Sequence, residues 1–247
     1  VAAAETGLPV IDGDGMGRAL PEAQMMTFAL HGIRPTPAVA IDYRGEATIF
    51  ETTDPLHYER QIRNLAIAMG GMVFTAEHPM SGAQLRPALV RNSISFAIRI
   101  GKCIRQTRGT ASDKLEALKP LFASSHYGDL KQLYEGKVVD VQRVTRGGFD
   151  YGQLLLEQAG DSSIALKIDI KNEYLVARMG EEVLASVPDL IMLVDTETGT
   201  PINSERLHYG QRVAVWACAC PPHYRTAEGL AAAGPAAFGF DFPYKPL

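Results

Sequence analysis

Two carboxylates, three glycines and a guanidinium are packed into Asp12-Gly13-Asp14-Gly15-Met16-Gly17-Arg18. Neighbouring carboxylates push one pKa upward, so such a pair can serve as a general base or hold a hard cation. An arginine beside them can clamp a carboxylate-bearing substrate through two parallel N–H bonds. Glycine at this density lets the backbone approach a ligand closely or turn through positive φ. Asp12 and Asp14 are therefore candidate catalytic residues and candidate ligands of a divalent metal, with Arg18 and Glu22 as candidate substrate-binding groups. Each has a plainer reading too. Asp side chains satisfy their own turns, Arg18 can pair with Glu22 four residues on, and a first-turn Glu suits the helix dipole.

A second set of polar residues follows. Ser81, before Gly82, is a candidate nucleophile or hydrogen-bond donor, and Ser93 and Ser95 are candidate substrate-binding residues. N-capping explains serines at helix starts equally well. Among six histidines, His78 beside Glu77 is the best placed as metal ligand or base, although none shows an H-E-x-x-H spacing. Cys218 and Cys220 would share one face of a strand, but C-x-C without a partner pair is a weak metal signal. The glycine loop matches neither a G-x-x-x-x-G-K-[ST] nor a G-x-G-x-x-G phosphate motif.

Several elements must position these groups. Leu8-Pro9-Val10-Ile11 reads as a short buried strand, and Pro21-Glu22 opens a helix over residues 22–31. Residues 38–42 and 47–50 flank Arg44-Gly45 as a hairpin. Asp54-Pro55 starts a helix, Met72-Val73-Phe74 forms a strand, and a helix runs from Ser93 through about residue 106. Residues 109–135 are polar and broken, suiting a linker with one short helix at 113–122. Beyond them, Leu166, Ile168 and Ile170 alternate with charged residues, and further short strands are separated by turns such as Arg146-Gly147-Gly148 and Gly160-Asp161. The expected architecture is an α/β domain over 1–108, the linker, and a β-rich sandwich- or barrel-like domain over 136–247.

Composition narrows the function classes. At 247 residues the chain can bury a substantial core, and 46% hydrophobic with 21% charged residues is ordinary for a globular protein. A net charge of −4 argues against a dedicated nucleic-acid or membrane-surface binder. No apolar run reaches the roughly 18 residues of a membrane span. Three cysteines are too few for a disulfide framework, pointing to a reducing, cytoplasmic setting. Residues 1–7 read as the last turns of a helix capped by Gly7, as expected of a piece of a longer protein.

Taken together, these stretches resemble a bacterial family associated with hydantoinase and oxoprolinase subunits and named for S-methyl-thiohydantoin desulfurase. The resemblance lies in residues 9–19 with Pro21-Glu22, residues 79–84, 93–101 and 136–141, and in the tail from Arg225-Thr226 to Asp241. Cys218-Ala219-Cys220 departs from a pattern in which small apolar residues are usual. The resemblance implies an α/β domain joined to a β-rich one, and hydrolysis of a C–S or C–N bond in a hydantoin- or thiohydantoin-like ring. It makes a small molecule the substrate and places a second copy or a hydantoinase-type subunit among candidate partners. The alternatives are a non-catalytic partner subunit and a small-molecule binding module.

Overall fold

The computed structural model describes residues 2–158 and 161–247, so the expected turn at Gly160-Asp161 lies outside the described residues. The chain opens with α1 (Ala2–Thr6), ended by Gly7 at φ +69°, a conformation that glycine adopts without cost. No strand follows at Leu8–Ile11. Leu8, Val10 and Ile11 are exposed, and pairing begins only at β1 (Gly13–Asp14). The apolar run finds no neighbouring strand among the described residues, so its composition does not make it one.

The expected helix over 22–31 is broken at Met26, whose extended backbone separates a 3-10 turn (Ala23–Met25) from α2 (Thr27–Leu30). Tertiary hydrogen bonds account for the break. The Thr27 amide donates to the Gly15 carbonyl at 2.7 Å, and its hydroxyl donates to the Ala88 carbonyl at 2.6 Å. Next comes the hairpin of β2 (Ala38–Ile41) and β3 (Ala47–Phe50), with β4 (Phe74–Ala76) on the other edge of β2. The third strand thus lies two residues later than Met72-Val73-Phe74. Between them α3 (Pro55–Ala68) starts as expected, Asp54 accepting from the Leu56 amide, and Tyr58 and Ile62 pack beneath Ala38, Ala40 and Phe50.

After α4 (Gly82–Ala88), β5 (Val90–Arg91) pairs antiparallel with β1, setting Asp14 opposite Val90. It leads into α5 (Ser93–Gln106) and α6 (Ala111–Ala123). The segment read as a linker is packed. Leu115, Leu118, Phe122, Tyr127 and Leu130 are buried with Phe96 of α5 and Trp216.

The rest is β6 (Lys131–Arg146), β7 (Phe149–Gln158), β8 (Asp161–Lys171), β9 (Glu173–Met179), β10 (Glu182–Ser186), β11 (Leu190–Asp195), β12 (Pro201–Ile202), β13 (Arg212–Cys218) and helix α7 (Ala227–Ala233). These strands form one antiparallel eight-stranded sheet in the order β10-β9-β8-β7-β6-β13-β11-β12. Strands β9 and β10 return against β11, curling the sheet around Leu154, Leu156, Leu166, Ile168, Leu193 and Val215. After its exposed first residue, Arg212, strand β13 is apolar because both of its faces are covered. Val213, Val215 and Ala217 face the curl, while Ala214, Trp216 and Cys218 face α5 and α6. No helix among the described residues is long and apolar enough to cross a membrane.

Candidate functional site

The loop between β1 and residue 20 is wedged between α2, β5 and the end of the large sheet. Its glycines permit that approach. A Cβ on Gly15 would stand 2.5 Å from the Phe28 ring, and one on Gly17 would stand 2.6 Å from Pro221 and 2.7 Å from Val90. Gly17 also sits at φ +68°. Glycine density here reflects close packing of the protein on itself.

The two aspartates do not pair. Asp12 Oδ1 accepts from the Ser95 amide at 2.9 Å, and its carbonyl accepts from the Asn92 amide at 2.9 Å, so it caps α5 from outside that helix. The Ser95 amide, with the Ser95 side chain, holds the Asp12 carboxyl below its ordinary pKa, the reverse of the rise that paired carboxylates would produce. Asp14 Oδ1 accepts from the amides of Met16 at 2.6 Å and Gly17 at 2.5 Å, which closes the glycine turn.

Arg18 does not pair with Glu22. Its Nη1 donates to the carbonyls of Pro188 and Asp189, each at 2.7 Å, and its Nε donates to Ala19 at 2.9 Å. Burial lowers its pKa, with Glu173 opposing the shift. Asp189 is fully buried and in turn gathers the Cys220 amide at 2.8 Å, the Tyr244 hydroxyl at 2.9 Å and the Leu247 amide at 3.2 Å. Glu22 accepts from Lys171 of β8 and from Gln24, and both members of the ion pair are mostly shielded from solvent. Burial alone would raise Glu22, but these hydrogen bonds bring its pKa below the ordinary value.

Ser81 heads α4 in a capping box with Gln84 and is exposed, so its hydroxyl does the work of a cap. Ser95 is half-buried and donates to the Asn92 carbonyl at 3.2 Å. Ser93 is buried, and its hydroxyl has no hydrogen-bond partner. His78 lies at φ +54° and is buried against Phe28, with ring centroids 5.5 Å apart and neither ring nitrogen hydrogen-bonded. Burial lowers its pKa to about 4. Among the described residues no three of His, Cys, Asp and Glu are grouped to hold a metal ion. Asp12, Asp14 and His78 thus do not assemble as ligands, because α5, the glycine turn and Phe28 hold them apart.

Around Asp14 the fold collects residues that motif spacing does not reveal. Tyr127 donates its hydroxyl to the Gly17 carbonyl and lies against His126, ring centroids 4.1 Å apart. His126 Nε2 and His223 Nδ1 are buried without hydrogen-bond partners. Burial lowers the pKa of His126, His223 adds to the shift, and Asp14 opposes it, so the three share one electrostatic neighbourhood. His223 Nε2 lies 3.1 Å from the Pro87 carbonyl, and its ring meets His31 edge-on at 5.7 Å. A neutral imidazole beside a carboxylate can accept a proton from water and return it to a leaving group. The signal available in sequence was only that His126 precedes an aromatic residue and His223 follows Pro221-Pro222.

No curated protein matches the chain. A crystallised protein from Chromobacterium violaceum matches with 25% identity and a TM-score of 0.80, over 99% of this chain and 68% of that one. Family models for the S-Me-THD-like N-terminal domain and C-terminal domain match residues 1–52 and 53–247, respectively. Between them they span the glycine loop, the helices and the large sheet, and the chain belongs to the S-Me-THD-like family.

Proposed function

We propose that the chain carries the reaction centre of a hydrolase acting on a hydantoin- or thiohydantoin-type ring, located where the glycine loop meets His126 and His223. The observation that carries this reading is a pair of histidines, His126 and His223, each with a buried, unpartnered ring nitrogen, with His126 in the field of Asp14. Buried polar atoms without partners are costly and cluster where a ligand or water completes them. For an S-methyl-thiohydantoin, water adds across the ring C=N bond at the carbon bearing sulfur, one proton ending on the ring nitrogen. The C–S bond then breaks, and methanethiol leaves with the other proton as the ring carbonyl forms. His126, held neutral by burial, takes the water's proton and returns it to sulfur, while Asp14 stabilises the transient imidazolium. Asp12, Arg18 and Glu22 hold the loop in place through α5, the 188–189 turn and Lys171.

A second reading has its own support. Asp12, Asp14 and Arg18 are all engaged with the protein's own backbone, as a structural loop in a non-catalytic partner subunit would be. One assay separates the two. Purified protein is incubated with hydantoins, thiohydantoins and S-methyl-thiohydantoins, with and without divalent metal, beside Asp14→Asn and His126→Gln. Release of thiol or ammonia by the wild type, lost in both folded variants, supports the hydrolase. No turnover by folded wild type moves the assignment to the partner subunit.

A further inference from the structure

The loop has a second neighbour that the reaction chemistry does not use. Met16, two residues from Asp14, forms one wall of a cavity of about 330 Å³ between residues 20–26, α3 and the approach to β4. A volume of this order matches the lower end of small-molecule sites. The walls are apolar and soft, with Leu20, Met26, Ile62, Ala66 and Met72 among them. Thioether side chains adapt to irregular apolar shapes.

The charged groups at the cavity are almost all matched internally. Glu59 accepts from Arg63 Nε at 2.8 Å and from the Ala23 amide at 2.7 Å, and Glu22 is held by Lys171. Glu77 accepts from the Tyr58 hydroxyl and lies 3.9 Å from His78 Nδ1, and among the described residues no lysine or arginine is bonded to it. Burial lifts its carboxyl above the usual range, with the Tyr58 bond opposing. The cavity therefore offers apolar contact and carboxyl oxygens, and no spare cation. A carboxylate entering it would lose hydration and meet like charge.

Resting on the hydrolase reading above, we propose that this cavity is the pocket that selects the ring substituent, taking a neutral aliphatic or thioether group and rejecting an anionic one. Met16 joins the two places, since it lines the cavity while its amide donates to Asp14 Oδ1 at 2.6 Å. A carboxyethyl substituent would find no partner there, and an aminobutyl chain would find only Glu22 and Glu59, already ion-paired, and Glu77, which Tyr58 engages and burial shifts towards its neutral form.

The test uses ring compounds differing at one substituent: unsubstituted, isobutyl, methylthioethyl, carboxyethyl and aminobutyl. Binding is read by calorimetry and turnover by product release, on wild type, Ala66→Phe, which fills the cavity, and Met26→Ala, which enlarges it. Wild type is expected to favour the isobutyl and methylthioethyl compounds at least tenfold over the carboxyethyl one. Ala66→Phe should raise KM for these two about tenfold and leave the unsubstituted ring within twofold. Met26→Ala, read in parallel in case the filled variant does not fold, should shift preference towards bulkier groups. Equal responses across substituents, or preference for the carboxyethyl or aminobutyl compound, overturn the pocket while leaving the hydrolase in place. Wild type that neither binds nor turns over any member removes the hydrolase reading and the pocket with it.

Discussion

Tyr127 and Gly17 are joined by a hydrogen bond that spans 110 residues, the phenolic hydroxyl donating to the glycine carbonyl. The bond ties the segment after α6 to the loop bearing Asp14. Gly17 is confined there by its positive φ and by Pro221 and Val90, which leave no room for a side chain. Gly17→Ala should therefore cost about 3 kcal/mol, combining left-handed strain with overpacking. Tyr127→Phe should cost about 1 kcal/mol, the net value of one hydrogen bond. Urea denaturation of both variants checks the ranking, and a Gly17→Ala protein as stable as wild type would show that the loop can shift.

Arg18 is the only side-chain donor found on the carbonyls of Pro188 and Asp189 among the described hydrogen bonds. Removing it strands two carbonyls in a partly buried turn, beside the aspartate that anchors the chain's last residues. Arg18→Ala is expected to lower stability by about 3 kcal/mol. Arg18→Lys should recover only part of that, because an ammonium cannot reproduce the guanidinium's planar fork. Thermal unfolding of the three proteins gives the order.

His78 should make the fold acid-sensitive. Its pKa falls from 6.5 to about 4 on folding, so the unfolded chain binds the proton more tightly. Its contribution is intact above pH 6.5 and is lost as pH falls towards 4, by about 3 kcal/mol in all. Asn tolerates the positive φ at this position, and His78→Asn should flatten that part of the stability–pH curve. Parallel curves for the two proteins would rule His78 out as the source.

Asp12 works in the opposite sense to a buried base. The Ser95 amide lowers its pKa on folding, so its contribution is present above the carboxylate range and disappears as pH falls through the folded value. Asp12→Asn should reduce hydrogen-exchange protection in the first turn of α5 near neutral pH and converge with wild type in acid. Uniform protection at both pH values would mean that the cap is not needed to hold the helix start.

The cysteines should divide by reactivity. Burial pushes the Cys218 thiol up to about 12 and the Cys220 thiol up to about 11, so neither forms thiolate at neutral pH. Cys103 is partly exposed. Native protein treated with a maleimide should take one label, at Cys103, with the other two labelled only after denaturation. Mass spectrometry counts the adducts.

Much of this architecture was legible one segment at a time. Asp54-Pro55, the 38–50 hairpin, the helix from Ser93 and the alternation of Leu166, Ile168 and Ile170 rest on capping, turn chemistry and two-residue periodicity, which act over a few residues. The same local signals marked Asp12-Gly13-Asp14 as a packed turn but could not say which partners its carboxylates choose. Asp12 goes to Ser95 because the tertiary fold brings α5 to it, whereas Asp14 turns to the Met16 and Gly17 amides two and three residues on. Leu8–Ile11 fails as a strand for a related reason, since a strand needs a neighbour and composition supplies none. Tyr127 reaches Gly17, and His126 meets both Asp14 and His223, from distant parts of the chain, and no spacing rule connects them. Sequence by itself determined the family and those elements that local signals specify; the tertiary structure decided the rest and which side chains meet, because long-range packing is settled only when the whole core closes.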